Sequence, residues 1–355
     1  MRVYAMIRFN RTVHYKELSI RGELSMEVKS LPPSALRKIS KPQQEWKIII
    51  AIYLYLAGMG AGSFIIGMLL HWWRVDLNPL HLSSIEFLGF QLNLIRVPIL
   101  WGPIMVAIGA PFLILDLGIK WRFFYACLNP RTSWVARGFI ILSVFIVLGL
   151  VLFVKSLFPS SLDSSLWVIL EGIALVFAFA TALYTGILLK ATKSVPLWNT
   201  PLLPILFLTS ALSTGSMAII LSVLGTRLIS FQSSALKLLM YGEQLFVVIE
   251  GIVLYLFLSH TYRISEQGKD SVRLLLTGNL RYIFWQGIVL LGLFFPIVLE
   301  WISKAYQNPS LLFFAGISLL IGGFFLRLGV LRAGIKDQIP MQRLIEIRHQ
   351  MRPTN

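Results

Sequence analysis

The sequence predicts an all-α, polytopic integral membrane protein with eight transmembrane helices. Three properties carry this prediction: 56% of the 355 residues are hydrophobic, only 14% are charged, and the mean hydropathy is +0.75. Ordinary soluble domains contain about half apolar residues or fewer and about a quarter charged residues. The composition therefore excludes a disordered chain, a collagen-like chain and an ordinary soluble enzyme.

The predicted spans are runs of about 20 mostly apolar residues, the length that a helix needs to cross the bilayer with its backbone amides hydrogen-bonded internally. They lie at about 46–71, 96–116, 135–157, 166–190, 200–224, 237–260, 281–301 and 310–334. Turn-forming pairs such as Asn78-Pro79, Asn129-Pro130 and Asn308-Pro309 separate several of these runs. Outside them, residues 1–45 are predicted to be a mobile basic tail and residues 335–355 a polar tail.

The positive charge of the chain predicts its orientation. The net charge is +16, and 25 of the 32 Lys and Arg residues lie on the side of the two termini, against 6 on the other side. Cytoplasmic loops of membrane proteins are enriched in Lys and Arg. Both termini are therefore predicted to be cytoplasmic, in the cell membrane. We expect the basic residues to face membrane lipids and not nucleic acid.

Cysteine and histidine content restricts the redox centres that the chain can hold. Cys127 is the single cysteine, which excludes a disulfide framework, an iron–sulfur cluster and a cysteine zinc site within this chain. Of the five histidines only His71 and His260 touch predicted spans, at opposite faces of the membrane. A haem held in a bundle needs two facing axial ligands, so we predict no haem and no metal site.

Charged residues inside the spans are the first functional candidates, because a charge in the membrane is costly unless it is paired or hydrated. Glu243 and Glu250 lie seven residues apart on the sixth span and so share a helical face, and Arg327 lies well inside the eighth. Two interpretations stay open. Glu250 and Arg327 form a structural pair, or they belong to a proton route or to the substrate site of a transporter.

A polar patch is predicted at the cytoplasmic end of the second span, where Asp116 is followed by Lys120 and Arg122. Such residues either anchor a helix at the interface or form a site together. Tyr53 and Tyr184 allow the same two interpretations, because a phenol can anchor a helix or donate to a quinone carbonyl. Gly58 belongs to a group of small residues on the first span that favours close helix packing.

Several short segments share a pattern with one known family. They are Tyr53–Gly62, Leu115–Gly118 with Trp121–Phe123, Asn129–Trp134 with Arg137-Gly138, Tyr184–Gly186 with Pro196–Asn199, Ser210–Gly215, and Gly322–Arg327. In their order and placement over about 46–334, these segments resemble the NrfD-like membrane subunits of respiratory complexes. That family includes the membrane subunit of polysulfide reductase.

The resemblance implies two four-helix bundles, at 46–190 and 191–334, with no cofactor resident in this chain. It implies an exchangeable quinone, either menaquinone or ubiquinone, in the first bundle, beside a ferredoxin-like iron–sulfur subunit that contacts a molybdopterin-type catalytic subunit. Carried over by position, the residues of the quinone site are Tyr53, Gly58, Arg122 and Tyr184, with Asp116 exchanging protons. The partner of the family commonly docks outside the cytoplasmic membrane, whereas the charge count places this face inside, and the sequence leaves both open.

The function predicted from these features is a quinone-reactive membrane anchor of an anaerobic respiratory oxidoreductase complex, of the polysulfide, nitrite or molybdopterin reductase type. Glu250 and Arg327 are expected to extend a proton path. The alternatives are a secondary transporter that uses Glu250 and Arg327, and a purely structural membrane anchor. Whether the chain counts as an enzyme stays open.

Overall fold

The computed structural model describes residues 48–73, 84–87, 90–93, 97–115, 133–157, 165–225 and 234–336. The predicted N-terminal tail, 1–45, lies wholly outside the described residues, as does 337–355 of the predicted C-terminal tail. The helices are α1 (Ile48–Trp72), α2 (Val97–Leu115), α3 (Trp134–Leu157), α4 (Ser165–Lys190), α5 (Leu202–Gly225), α6 (Ser234–Ile264), α7 (Glu266–Leu276), α8 (Ile283–Tyr306) and α9 (Pro309–Arg332).

Seven helices of the described part are long and apolar enough to cross a membrane: α1, α3, α4, α5, α6, α8 and α9. The prediction of a helical, multi-pass membrane protein is therefore confirmed. Helix α2 lies at the second predicted span and has 19 residues, including Pro103 and Pro111, but its apolar segment Leu100–Phe112 is shorter than the seven.

Two departures from simple α-helical spans were not predicted. A two-stranded antiparallel hairpin, β1 (Ser84–Phe87) with β2 (Phe90–Asn93), lies in the connection between α1 and α2. The first half of α8, Ile283–Phe294, has the wider π-helical winding and becomes α-helical from Phe295 onward. The change of winding precedes Pro296, whose ring has no amide hydrogen and cannot fit a regular helix interior without disturbing the preceding turn.

Helix α1 is buried along most of its length and contacts α2, α4, α5 and α9. Its contact with α5 depends on glycine: a Cβ atom on Gly62 would overlap the backbone of Ala211, and one on Gly215 would overlap the backbone of Gly62. The Ser63 hydroxyl bridges the two helices by donating to the Gly215 carbonyl at 3.2 Å. Small residues at such crossings let two backbones pack directly against each other.

The remaining helices surround this central pair. Helix α3 contacts α2 and α4, and among the later helices α6 contacts α5 and α8, while α9 contacts α5 and α8. Large apolar side chains on α3, α4 and α6 point outward, as expected where a protein faces lipid; examples are Val147, Leu166 and Leu245. The connection between α4 and α5 is held inward by Trp198, which is fully buried and donates to the Val330 carbonyl of α9 at 2.9 Å.

Candidate functional site

The Tyr53 side chain lies fully buried in the first half of α1. Its hydroxyl has no hydrogen-bond partner among the described residues. Helix α2 passes close by, since a Cβ atom on Gly109 would lie 3.7 Å from the Tyr53 ring. Burying a hydroxyl without a hydrogen-bond partner costs free energy. The Tyr53 hydroxyl would recover this cost by donating to the polar atom of a ligand.

Tyr184 lies on α4 near the same membrane face. It is buried, and its hydroxyl donates to the Trp134 carbonyl oxygen of α3 at 3.1 Å. Gly138 makes room for the ring, because any side chain at that position would overlap it. The Tyr184 hydroxyl is therefore already partly satisfied, unlike that of Tyr53.

The structure brings Tyr53 and Tyr184 together. Helices α1 and α4, which carry them, contact each other, and Trp72 at the end of α1 donates to Glu171 Oε2 near the start of α4 at 2.9 Å. At 1.5 Å per residue, Tyr53 is about 8 Å from the start of α1 and Tyr184 is about 9 Å from the end of α4. They therefore share one depth in the membrane, as the antiparallel arrangement of the two spans requires.

Two other predicted members of this site, Asp116 and Arg122, lie outside the described residues. Helix α2 ends at Leu115, directly before Asp116 in the chain. Gly58, five residues after Tyr53, lies against α5 and α9: a Cβ atom on it would lie 3.2 Å from Arg327 Nη2 and 3.7 Å from the Ala211 Cβ atom. In the structure Gly58 gives room to the arginine of α9 at the place where α1 meets α5 and α9.

A second polar cluster lies between α5, α6 and α9. The Ser213 hydroxyl of α5 donates to Glu250 Oε2 at 2.7 Å. Ser210, one turn earlier on α5, accepts from Arg327 Nη1. Glu250 and Arg327 thus bond to two serines one turn apart on α5 and form no direct ion pair with each other.

Arg327 is completely buried and is held mostly by neutral groups. Nη1 also donates to the Gly323 carbonyl at 3.0 Å, and Nη2 to the Phe207 carbonyl at 3.4 Å. The guanidinium lies 5.3 Å from the centre of the Phe207 ring and 5.9 Å from that of Tyr55, distances at which a cation is attracted to an aromatic face. Helices α1, α5 and α9 therefore all contribute to the environment of this charge.

Tyr55, Ser210 and Ser213 lie in segments that carried the family resemblance, but no role was predicted for any of them. Glu300, which lies next to Glu243, was not singled out at all. Serines in membrane helices usually bond to the backbone of their own helix, as Ser216 does to the Leu212 carbonyl. A serine inside a span therefore does not by itself indicate a functional site. Glu300 could have been found, because it is a carboxyl group inside the predicted span 281–301. Within the described residues no group of three or more His, Cys, Asp or Glu side chains could hold a metal ion.

Comparison of the sequence with known proteins shows the family of this chain. The family model described as polysulphide reductase, NrfD, matches residues 39–337, which include all the described helices. The chain belongs to the NrfD family. The resemblance inferred from the short segments is therefore confirmed.

Three relatives show how far the similarity extends. The chain is 29% identical to the protein NrfD of Escherichia coli over 315 residues, covering 81% of this chain and 94% of the relative. It is 29% identical to a polysulfide reductase chain of Wolinella succinogenes over 282 residues, 72% of this chain and 82% of the relative. A selenate reductase subunit of Mesobacillus selenatarsenatis is 24% identical over 353 residues, 86% of this chain and 77% of the relative. The NrfD-type similarity thus extends over most of the length of these proteins.

Proposed function

We propose that the chain is the quinone-reactive membrane subunit of a reductase complex in the cell membrane. It exchanges electrons between the quinone pool and an iron–sulfur partner subunit. The observation that carries the proposal is the fully buried Tyr53 hydroxyl, without a partner among the described residues and beside Tyr184. Two relatives whose names describe them as parts of polysulfide and selenate reductases support the assignment to a complex.

The architecture we propose is eight spans in two four-helix bundles. In the first, α1 and α3 each contact both α2 and α4; in the second, α5 and α8 each contact both α6 and α9. This pattern supports α2 as a full span. With an even number of spans both termini lie on one side, which the distribution of Lys and Arg assigns to the cytoplasm.

The residues of the first bundle would hold the quinone headgroup by hydrogen bonds. Tyr53 donates to one carbonyl oxygen, while Tyr184 stays bonded to α3 and forms a wall of the pocket. We propose that Asp116 accepts the protons released on quinol oxidation and that Arg122 tunes it, since a carboxylate near bases at the membrane edge can exchange protons with water. Gly58 acts indirectly, because its lack of a side chain leaves room for Arg327 between the two bundles.

Electrons and protons leave the site by different routes. With one cysteine the chain has no means of holding a cluster, so electrons pass to a ferredoxin-like iron–sulfur partner and from there to a molybdopterin-type catalytic subunit. Glu250 and Arg327, which bond to Ser213 and Ser210 on α5, extend a proton path into the second bundle. A hydroxyl both donates and accepts, which is what a proton relay needs.

The transporter and the structural anchor differ from this proposal in what they predict. A transporter of the inverted-repeat type has interrupted helices at its substrate site, with freed backbone groups facing the ligand. The described spans run without such a break, and α8 keeps its helical hydrogen bonds through its π-helical half. These features favour the quinone anchor.

The experiment is purification of the chain with its partners, followed by an assay of quinol oxidation. The proposal expects copurification of an iron–sulfur subunit and quinol oxidation that a quinone-site inhibitor blocks. Asp116→Asn should lower this activity and leave assembly intact. A complex that assembles but shows no quinol dependence would indicate a structural anchor, and a chain that purifies alone would favour a transporter.

A further inference from the structure

Two carboxyl groups outside the proposed quinone site are buried against each other in the second bundle. Glu243 on α6 is 1% exposed and Glu300 on α8 is 0% exposed. Within the described structure none of their four carboxylate oxygens has a hydrogen-bond partner. The two groups are close enough to hydrogen-bond to each other once one of them carries a proton.

Among the described residues, one cation lies at the entrance to this pair. Lys304, one turn after Glu300, is near both carboxyl groups. Its Nζ atom donates to Gln244 Oε1 at 3.0 Å and lies 4.0 Å from the centre of the Tyr241 ring. Of the charged groups in the described part of the chain, Lys304 on α8 and Glu250 on α6 act on the pair.

The positions of Lys304, Glu300 and Glu243 along their helices show which face of the membrane lies nearer to the pair. At 1.5 Å per residue, Lys304 is about 3 Å and Glu300 about 9 Å from the end of α8, and Glu243 is about 14 Å from the start of α6. The lysine therefore lies at the membrane edge and the carboxyl pair lies further inside. This edge is opposite the one where α1 begins and where the Tyr53 site lies.

Charge balance decides the protonation of the pair. Two ionised carboxylates with one ammonium group would leave a net negative charge inside the membrane, and an uncompensated buried charge is costly. One proton on the pair makes the group of three neutral. It also supplies the missing donor, because a protonated carboxyl donates to a carboxylate while two carboxylates can only repel each other.

We propose that Glu243 and Glu300 share one exchangeable proton and form a proton-binding site that opens, past Lys304, to the membrane face where α8 ends. The proton enters from water at the lysine, resides between the two carboxyl groups, and returns by the same opening. The site does not depend on the proposed quinone function, since it rests on burial and charge in the second bundle alone.

The test uses dicyclohexylcarbodiimide, which modifies protonated carboxyl groups in apolar surroundings, on membranes that contain the assembled complex. At about pH 8, where an ordinary exposed glutamate is ionised, modification should map to Glu243 or Glu300. The exposed Glu266, which pairs with Lys269 at 3.0 Å, should stay unmodified. Absence of modification at both Glu243 and Glu300 in the unaltered chain would overturn the proposal, and this measurement requires no variant to fold.

Variants then test the sharing of the proton. In Glu243→Gln, Glu300 becomes the sole counter-ion of Lys304, so its modification should fall about tenfold or more. In Lys304→Met both carboxyl groups should keep a proton, and modification should rise. Glu266→Gln is the matched control and should leave the pattern unchanged. If Glu300 is modified equally in Glu243→Gln and in the unaltered chain, the two residues do not share a proton.

Discussion

Glu250 on α6 and Arg327 on α9 each bond to a serine hydroxyl of α5, Glu250 to Ser213 and Arg327 to Ser210, and they form no direct ion pair with each other. The sequence predicted that these two residues could interact, and the structure shows both of them bonded to α5, which contacts both of their helices. Two buried opposite charges thereby compensate each other across α5. Each charge would be uncompensated if the other were removed.

This linkage predicts a strong coupling between the two residues. Removing one partner of a buried charge pair costs about 3–5 kcal/mol, so Arg327→Met and Glu250→Gln should each lower the stability of the protein clearly. The double variant should recover a large part of the loss, because no charge is then left unpaired. The stabilities of the two single variants, the double variant and the unaltered protein are compared by thermal unfolding of the detergent-solubilised complex. Losses that simply add would show that the two charges are not coupled.

The crossing of α1 and α5 gives a second prediction. Gly62→Ala should destabilise the protein, because the new Cβ atom would overlap the Ala211 backbone and overpacking costs about 1–3 kcal/mol or more. Gly172→Ala on α4 is the control, since a Cβ atom there meets nothing within 4 Å. Unfolding temperature and the amount of assembled complex measure both variants. Equal unfolding temperatures and equal amounts of complex for Gly62→Ala and Gly172→Ala would contradict direct backbone packing at this crossing.

The spans were predictable from the sequence because the bilayer imposes a length and an apolar composition on each of them. The predicted spans 200–224 and 310–334, for example, agree closely with helices α5 and α9. Helix α7 was missed, because its amphipathic eleven residues lie in a polar connection. The sequence does contain features of this helix. Ser265 caps it by accepting from the Gly268 amide, and its apolar residues Val272 and Leu275 are buried.

Contacts between distant spans were less predictable. Nothing in the spacing of Tyr53 and Tyr184 shows that one hydroxyl bonds to Trp134 and the other has no partner in the described structure. Gly58 illustrates the same limit, because its small size predicted close packing but did not identify Arg327 as the neighbour. The partner of a buried group depends on helix rotation and crossing, which composition does not determine.

The most direct measurement of the central claim is quinol oxidation by the assembled complex carrying Tyr53→Phe. This change removes one hydroxyl from the buried site and keeps the ring. Loss of one hydrogen bond of about 0.5–1.5 kcal/mol should lower the rate about two- to tenfold, while complex assembly and cluster content stay unchanged. Tyr306→Phe, at a ring that is 78% exposed, is the matched control and should keep full activity. Full quinol oxidation in Tyr53→Phe would contradict the account.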